Sequence, residues 1–198
     1  MWHCSLFSFS FSFCFLFFFL LIMNQNSLTI KAFSVDLINT TCKQCADKST
    51  ILNCDFCVSS LQAVPISHAT NLQGLVIIAM GLANQNATNT VSSIDTMMGS
   101  EAFDPFAMGC LKDCSELYTN AVTTLKYSLK AFLLEDYATA NVLVSGVMEA
   151  AVTCEEGFTE KEGEVTPLTK ENYNLFELSD IALCIINLLS LNLPPMSS

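Results

Sequence analysis

Residues 111–132 read LKDCSELYTNAVTTLKYSLKAF and residues 137–158 read YATANVLVSGVMEAAVTCEEGF. In the first stretch Cys114, Tyr118, Ala121, Leu125, Ser128 and Phe132 follow one another at alternating steps of four and three. In the second, Tyr137, Ala140, Val144, Val147, Ala151, Cys154 and Phe158 do the same. Such steps keep every member on one face of an α-helix. Two antiparallel helices joined near 133–136 carry Cys114 and Cys154 to the same end of the pair, where a disulfide would staple a helix bundle.

Working outward, residues 1–30 contain no Lys, Arg, Asp or Glu, and Leu6 to Met23 is a Phe/Leu-rich run broken by serines. This reads as a secretory signal peptide over 1–31, cleaved somewhere between 23 and 34, rather than a retained anchor, although its length would also suit a span. The mature domain is 32–198, with a hairpin over 34–64 and a bundle over 67–193. The formal charge of −11 then belongs entirely to the mature chain. That excess argues against nucleic acid and anionic membrane surfaces as partners, and no membrane association is expected after signal cleavage. A soluble monomer, secreted to the extracellular space and cell wall (the apoplast), is the expectation.

The apolar rhythm continues elsewhere. Leu72, Leu75, Val76, Ala79, Leu82 and Ala83 mark a first long helix that starts near Ser67 or Thr70 and runs to about Met97. The second covers roughly 106–133. The third starts at Asp136, a residue suited to N-capping, and runs to about Cys154. Residues 155–167 read as a loop. Thr166-Pro167 reads as an N-cap followed by proline at the first position of a fourth helix, whose seam is Leu175, Leu178, Ala182, Ile185 and Leu189. Ahead of these lie two short helices, from Ser34 to about Asp47 and from Asn53 to Ala63. No stretch alternates apolar and polar residues as a strand would. The expected fold is all-α: an up-down-up-down four-helix bundle, preceded by a helical hairpin and stapled by disulfides.

The hairpin holds Cys42-x2-Cys45 and Cys54-x2-Cys57. Two such pairs suit a small zinc site in a reducing compartment, but an exported chain oxidises them. Antiparallel helices pair the outer two, Cys42 with Cys57, and leave the inner two, Cys45 and Cys54, available for a further bridge. Cys184 lies roughly 16 residues, or about 24 Å, into the last helix. That places it at the opposite end of the bundle from Cys110, so both are expected to be free thiols behaving as small hydrophobes.

Catalytic groups are scarce. His68 is the one histidine of the mature chain, and no nucleophile elbow or Gly-rich phosphate loop accompanies it. Glu155, Glu156, Glu160, Glu162 and Glu164 lack the ordered spacing of a calcium loop. No metal, no cofactor and no enzymatic activity are expected. Two sequons, at Asn39 and Asn86, are glycosylation candidates in an exported chain.

Several ordered segments resemble plant invertase and pectin methylesterase inhibitors. They are Thr41-Cys42, Asp55-Phe56-Cys57-Val58-Ser59-Ser60-Leu61, Leu72-Gln73-Gly74-Leu75, Asp113-Cys114-Ser115-Glu116-Leu117-Tyr118, Asp136-Tyr137-Ala138-Thr139-Ala140-Asn141-Val142, Thr153-Cys154-Glu155-Glu156-Gly157-Phe158 and Pro167-Leu168-Thr169-Lys170-Glu171-Asn172. The resemblance spans about 35–190 and is strongest to the pollen-type invertase-inhibitor branch. It implies a hairpin plus four-helix bundle with bridges Cys42–Cys57 and Cys114–Cys154. It says nothing of the pairing of Cys45, Cys54, Cys110 and Cys184. It also implies a selectivity position: in invertase inhibitors of known mode an Asp-Pro-Lys-Phe segment opens the third bundle helix and its Lys enters the acidic active site. Here those positions are Asp136, Tyr137, Ala138 and Thr139, which are more like the pectin methylesterase inhibitors. The function expected from the resemblance is 1:1 steric occlusion of a pectin methylesterase cleft. The alternatives are inhibition of a cell-wall or vacuolar acid invertase, and an inhibitor-like structural or allergen-type protein without an enzyme target.

Overall fold

Three of the four long helices begin where a side chain takes up a free backbone N–H. In the computed structural model, which describes residues 37–100 and 102–191, Asn71 caps α3 (Leu72–Met98) by accepting from the Gly74 amide. Asp104 does the same for α4 (Pro105–Leu133) through Ala107, with Pro105 where a missing N–H costs nothing. Asp136 caps α5 (Tyr137–Thr159) through Thr139. In the hairpin, α1 covers 37–46 and α2 is Cys54–Gln62, capped by Asn53. A 3-10 turn over Pro65–Ala69 leads into α3. Gly74 sits so close to Thr70 that an added Cβ would fall 1.7 Å from its Oγ1, so any larger residue there would force the Thr70 side chain to shift.

The fourth bundle helix departs from the expected start. α6 is Thr169–Ser190, and Leu168, without a capping side chain, stands at its N-cap. Thr166 Oγ1 accepts from the Leu168 amide two residues on, and so builds a local turn instead of capping a helix. At the other end of the connecting loop, α5 runs past Cys154 to Thr159, shortening the loop read from the glutamates and glycines.

α3 packs on α4, α4 on α5, α5 on α6 and α6 on α3, which closes an up-down-up-down four-helix bundle. Every member of the two seams that opened the sequence reading is buried. Ser128, the polar member, donates its hydroxyl to the Ala140 carbonyl at 3.1 Å and is thereby satisfied across the α4–α5 seam. Cys114 and Cys154 are bonded, with Cα atoms 5.0 Å apart, and Cys42 is bonded to Cys57, with Cα atoms 5.7 Å apart.

Two expectations about the remaining cysteines are corrected. Cys45 does not pair with Cys54, and Cys184 is not a free thiol: Cys45 and Cys184 form a third bridge, with Cα atoms 5.7 Å apart. The reason is placement. Cys45, near the end of α1, meets Cys184 on α6, whereas Cys42, about one turn earlier, meets Cys57 on α2. Cys54 and Cys110 keep free thiols. Burial, followed by the charges of Asp113 and Glu160, pushes the Cys110 thiol up, away from reactive thiolate. The expected leader and its cleavage point lie outside the described residues.

One polar network crosses the core. Tyr118, fully buried on α4, donates to Asn172 Oδ1 at 2.7 Å, and the Asn172 amide donates to Glu155 at 2.5 Å. Burial pushes the Tyr118 phenol well above its ordinary range, so it stays a donor. Asn172→Ala would remove that acceptor and leave the phenol to its neighbour Thr90, and urea unfolding is expected to show a loss of about 1–3 kcal/mol. A loss under about 0.5 kcal/mol would mean that the hydroxyl finds another acceptor without cost.

Candidate functional site

The α4–α5 tip is built by a tight reversal. After Leu133 the chain passes through Leu134 to Glu135, which has φ of 60°, the left-handed conformation that closes such turns. The Glu135 amide donates to the Phe132 carbonyl and the Asp136 amide to the Ala131 carbonyl. Asp136 then caps α5: its Oδ1 accepts from the Thr139 amide at 3.1 Å. Hydrogen bonding by Thr139 holds the Asp136 carboxyl below the usual range, so it is ionised at working pH.

Of the four positions singled out in the sequence, the structure divides the roles. Tyr137 is buried, its ring 5.4 Å from that of Phe132, and it serves to hold the tip together. Asp136, Ala138 and Thr139 are exposed. Beside them stand Leu133 and Leu134, 61% and 70% exposed, and Val142, 72% exposed. These apolar neighbours did not emerge from the sequence reading. The signal was present, however: Leu133-Leu134 immediately follows the last seam residue, Phe132, where the chain must leave the helix. A small apolar, rigid tip carrying one fixed carboxylate can bind a complementary protein surface.

The other candidate groups are dispersed. His68 lies in the 3-10 turn and its Nε2 donates to the Gln62 carbonyl at 3.0 Å, which ties the turn to α2. No cluster of three or more His, Cys, Asp or Glu side chains suited to a metal occurs among the described residues. The acidic run after α5 is used locally. Lys161 bridges Asp104 and Glu164 and sits 5.2 Å from the Phe106 ring centre, while Glu155 accepts from Thr169 and Asn172. Asn39 is exposed on α1, whereas Asn86 is half-buried in the middle of α3.

A stapled helical bundle with a docked hairpin and an exposed rigid tip defines a protein that acts through its surface. The chain belongs to the plant invertase/pectin methylesterase inhibitor family, whose family model matches residues 36–185. That family is made up of inhibitors rather than enzymes. Among its relatives, a "Putative invertase inhibitor" of Platanus acerifolia is 42% identical over 156 residues, covering 79% of this chain and 87% of the relative. A "Pectinesterase inhibitor" of Actinidia deliciosa is 31% identical over 137 residues, covering 69% and 74%. In fold, a crystal structure of a mutant form of a pectin methylesterase inhibitor from Arabidopsis superposes with a TM-score of 0.62 at 24% identity, over 72% of this chain and 91% of that one.

Proposed function

We propose that this protein is a secreted, non-catalytic inhibitor that occludes the substrate cleft of a pectin methylesterase as a 1:1 complex in the plant cell wall. The observation that carries the choice of target is Ala138. It stands exposed in the first turn of α5, at the position where invertase inhibitors of known mode present a lysine, and no ammonium group occupies 136–139. An acidic active site gains nothing from that methyl group, whereas a cleft that is covered sterically requires only a rigid, complementary surface. The buried Tyr137, the Asp136 cap and the Cys114–Cys154 bridge supply rigidity, which limits the entropy lost on docking. Export is the expected route, with Asn39, exposed on α1, the better placed of the two glycan acceptors.

Acid invertase is the second reading. It is favoured by the higher identity to the relative named as an invertase inhibitor. The purified mature protein, titrated into a plant pectin methylesterase assay and into an acid invertase assay, separates the two. The expected result is stoichiometric loss of esterase activity with invertase little affected. Inhibition of neither enzyme over a broad panel would overturn the inhibitory reading itself.

A further inference from the structure

On α6, Tyr173, Glu177, Asp180 and Cys184 follow at steps of four, three and four, so they share one stripe of the helix. The hairpin meets that stripe residue by residue in the opposite direction. The Phe56 ring stands edge-on to Tyr173, with centroids 5.5 Å apart. The Asn53 amide donates to Glu177 Oε2 at 3.0 Å. The Ser49 hydroxyl donates to Asp180 Oδ2 at 3.2 Å. Cys45 is bonded to Cys184. We propose that this stripe is a redox-gated clasp: the Cys45–Cys184 disulfide fixes the hairpin on α6, and a dithiol reductant that opens it leaves the hairpin held by the Phe56–Tyr173 contact, the apolar packing of Ile38, Leu52 and Leu61, and Glu177 and Asp180, so that its hold depends on pH.

Residue exposure ranks this bridge first for a reductant, although Cys114 and Cys154 also line a groove, of about 530 Å³. Cys42, Cys45, Cys57, Cys114 and Cys154 are all 1% exposed or less. Cys184 is half-buried and lines a groove of about 450 Å³ with Lys48, Asn141 and Ser145. A reductant thiolate attacks the Cys184 sulfur, forming a mixed disulfide, and Cys45 leaves as a thiolate and takes a proton. The second thiol of the reductant then displaces Cys184. Two electrons and two protons pass to the protein, and the reductant ends as a disulfide.

The carboxylates supply the pH dependence. Glu177 and Asp180 are 2% and 9% exposed, and neither has a cation within 4 Å among the described residues. The charged and titratable groups nearby are Lys48 at the groove, Asp47 and Asp55 exposed on the hairpin, and Tyr173 on α6. α5 brings only the uncharged Asn141 and Ser145 to the groove. Burial raises both carboxyls; the neighbouring Asp180 adds to the rise at Glu177, while the hydrogen bonds from Asn53 and Tyr173 oppose it there, as that from Ser49 does at Asp180. A carboxyl raised in the docked state favours docking most below its ordinary pKa. That support is lost as pH rises through the raised value. The reduced hairpin is therefore held more tightly in acid and opens more often toward neutral pH, whereas the oxidised one stays docked throughout.

Hydrogen exchange on the whole mature protein tests this without reference to any target enzyme. In C45S/C184S, protection of amides between residues 45 and 56 should fall tenfold or more from pH 5 to pH 8, after correction for intrinsic exchange, with α3–α5 unchanged. The oxidised wild type should show no such fall. E177Q/D180N in the same background should abolish the pH dependence. Mass mapping of the wild type during mild dithiol titration should find Cys45 and Cys184 alkylated first, a readout that requires no variant to fold. Earlier opening of either other bridge, equal hairpin protection with and without the disulfide, pH dependence that survives E177Q/D180N, or loss of protection throughout the bundle would each overturn the proposal.

Discussion

C114A/C154A is expected to lose about 4 kcal/mol of stability while keeping the all-α fold. The bridge closes a sequence separation of 40, and the chain-entropy relation for a loop of that length gives about 4 kcal/mol. Alanine avoids adding buried hydroxyls at a seam where both cysteines are 1% exposed. For a domain of this size the loss corresponds to a drop of roughly 8–16 °C in melting temperature. Guanidinium unfolding under non-reducing conditions checks it: the midpoint should fall while the dependence on denaturant stays nearly constant. A loss below about 1 kcal/mol would show that the Tyr118, Leu125 and Val147 seam holds α4 to α5 unaided and that the bridge contributes little.

The α4–α5 seam was legible because its information is local. Steps of three and four select one helical face whatever surrounds it, and all thirteen seam residues of the two stretches lie in the core. The caps at Asn53, Asn71, Asp104 and Asp136 are similarly local, each needing only a short polar side chain and a free amide. The start of α6 was misread because Thr166-Pro167 satisfies the same local rule through a different turn, and only the backbone shows which. The Cys45–Cys184 bridge was missed for a different reason. It depends on which side of the bundle receives the hairpin, and the stripe that receives it includes Glu177 and Asp180, residue types rarely found buried. The useful signal was the 4-3-4 spacing of Tyr173, Glu177, Asp180 and Cys184, a second stripe on a helix whose apolar seam was already assigned. At the tip, the positions to inspect were legible from the resemblance. The burial of Tyr137 was legible too, because it opens the α5 seam; the exposure of Leu133 and Leu134 was not, since it depends on the path of the turn.

Ala138→Lys is expected to convert the tip toward invertase. The residue is exposed in the first turn of α5, so a lysine there can project from the surface without disturbing the core. A cation near a helix N-terminus opposes the helix dipole, a local cost of about 0.3–1 kcal/mol, and Asp136 one cap position away partly offsets it. Against that stands the gain from an ammonium desolvated among carboxylates in an acidic active site. At about 3 kcal/mol, in the lower half of the range for close charge pairs across interfaces, affinity rises roughly a hundredfold. Inhibition of acid invertase should therefore strengthen by about two orders of magnitude, and should weaken with added salt as a charge contact does. Inhibition of pectin methylesterase should change far less. Ala138→Glu, equal in exposure but opposite in charge, should gain nothing against invertase and so separates charge from bulk. If the unmodified protein already inhibits invertase at nanomolar concentration and leaves the esterase untouched, Ala138 is not the position that chooses the target, and the order of the two targets is the reverse of the one argued from it.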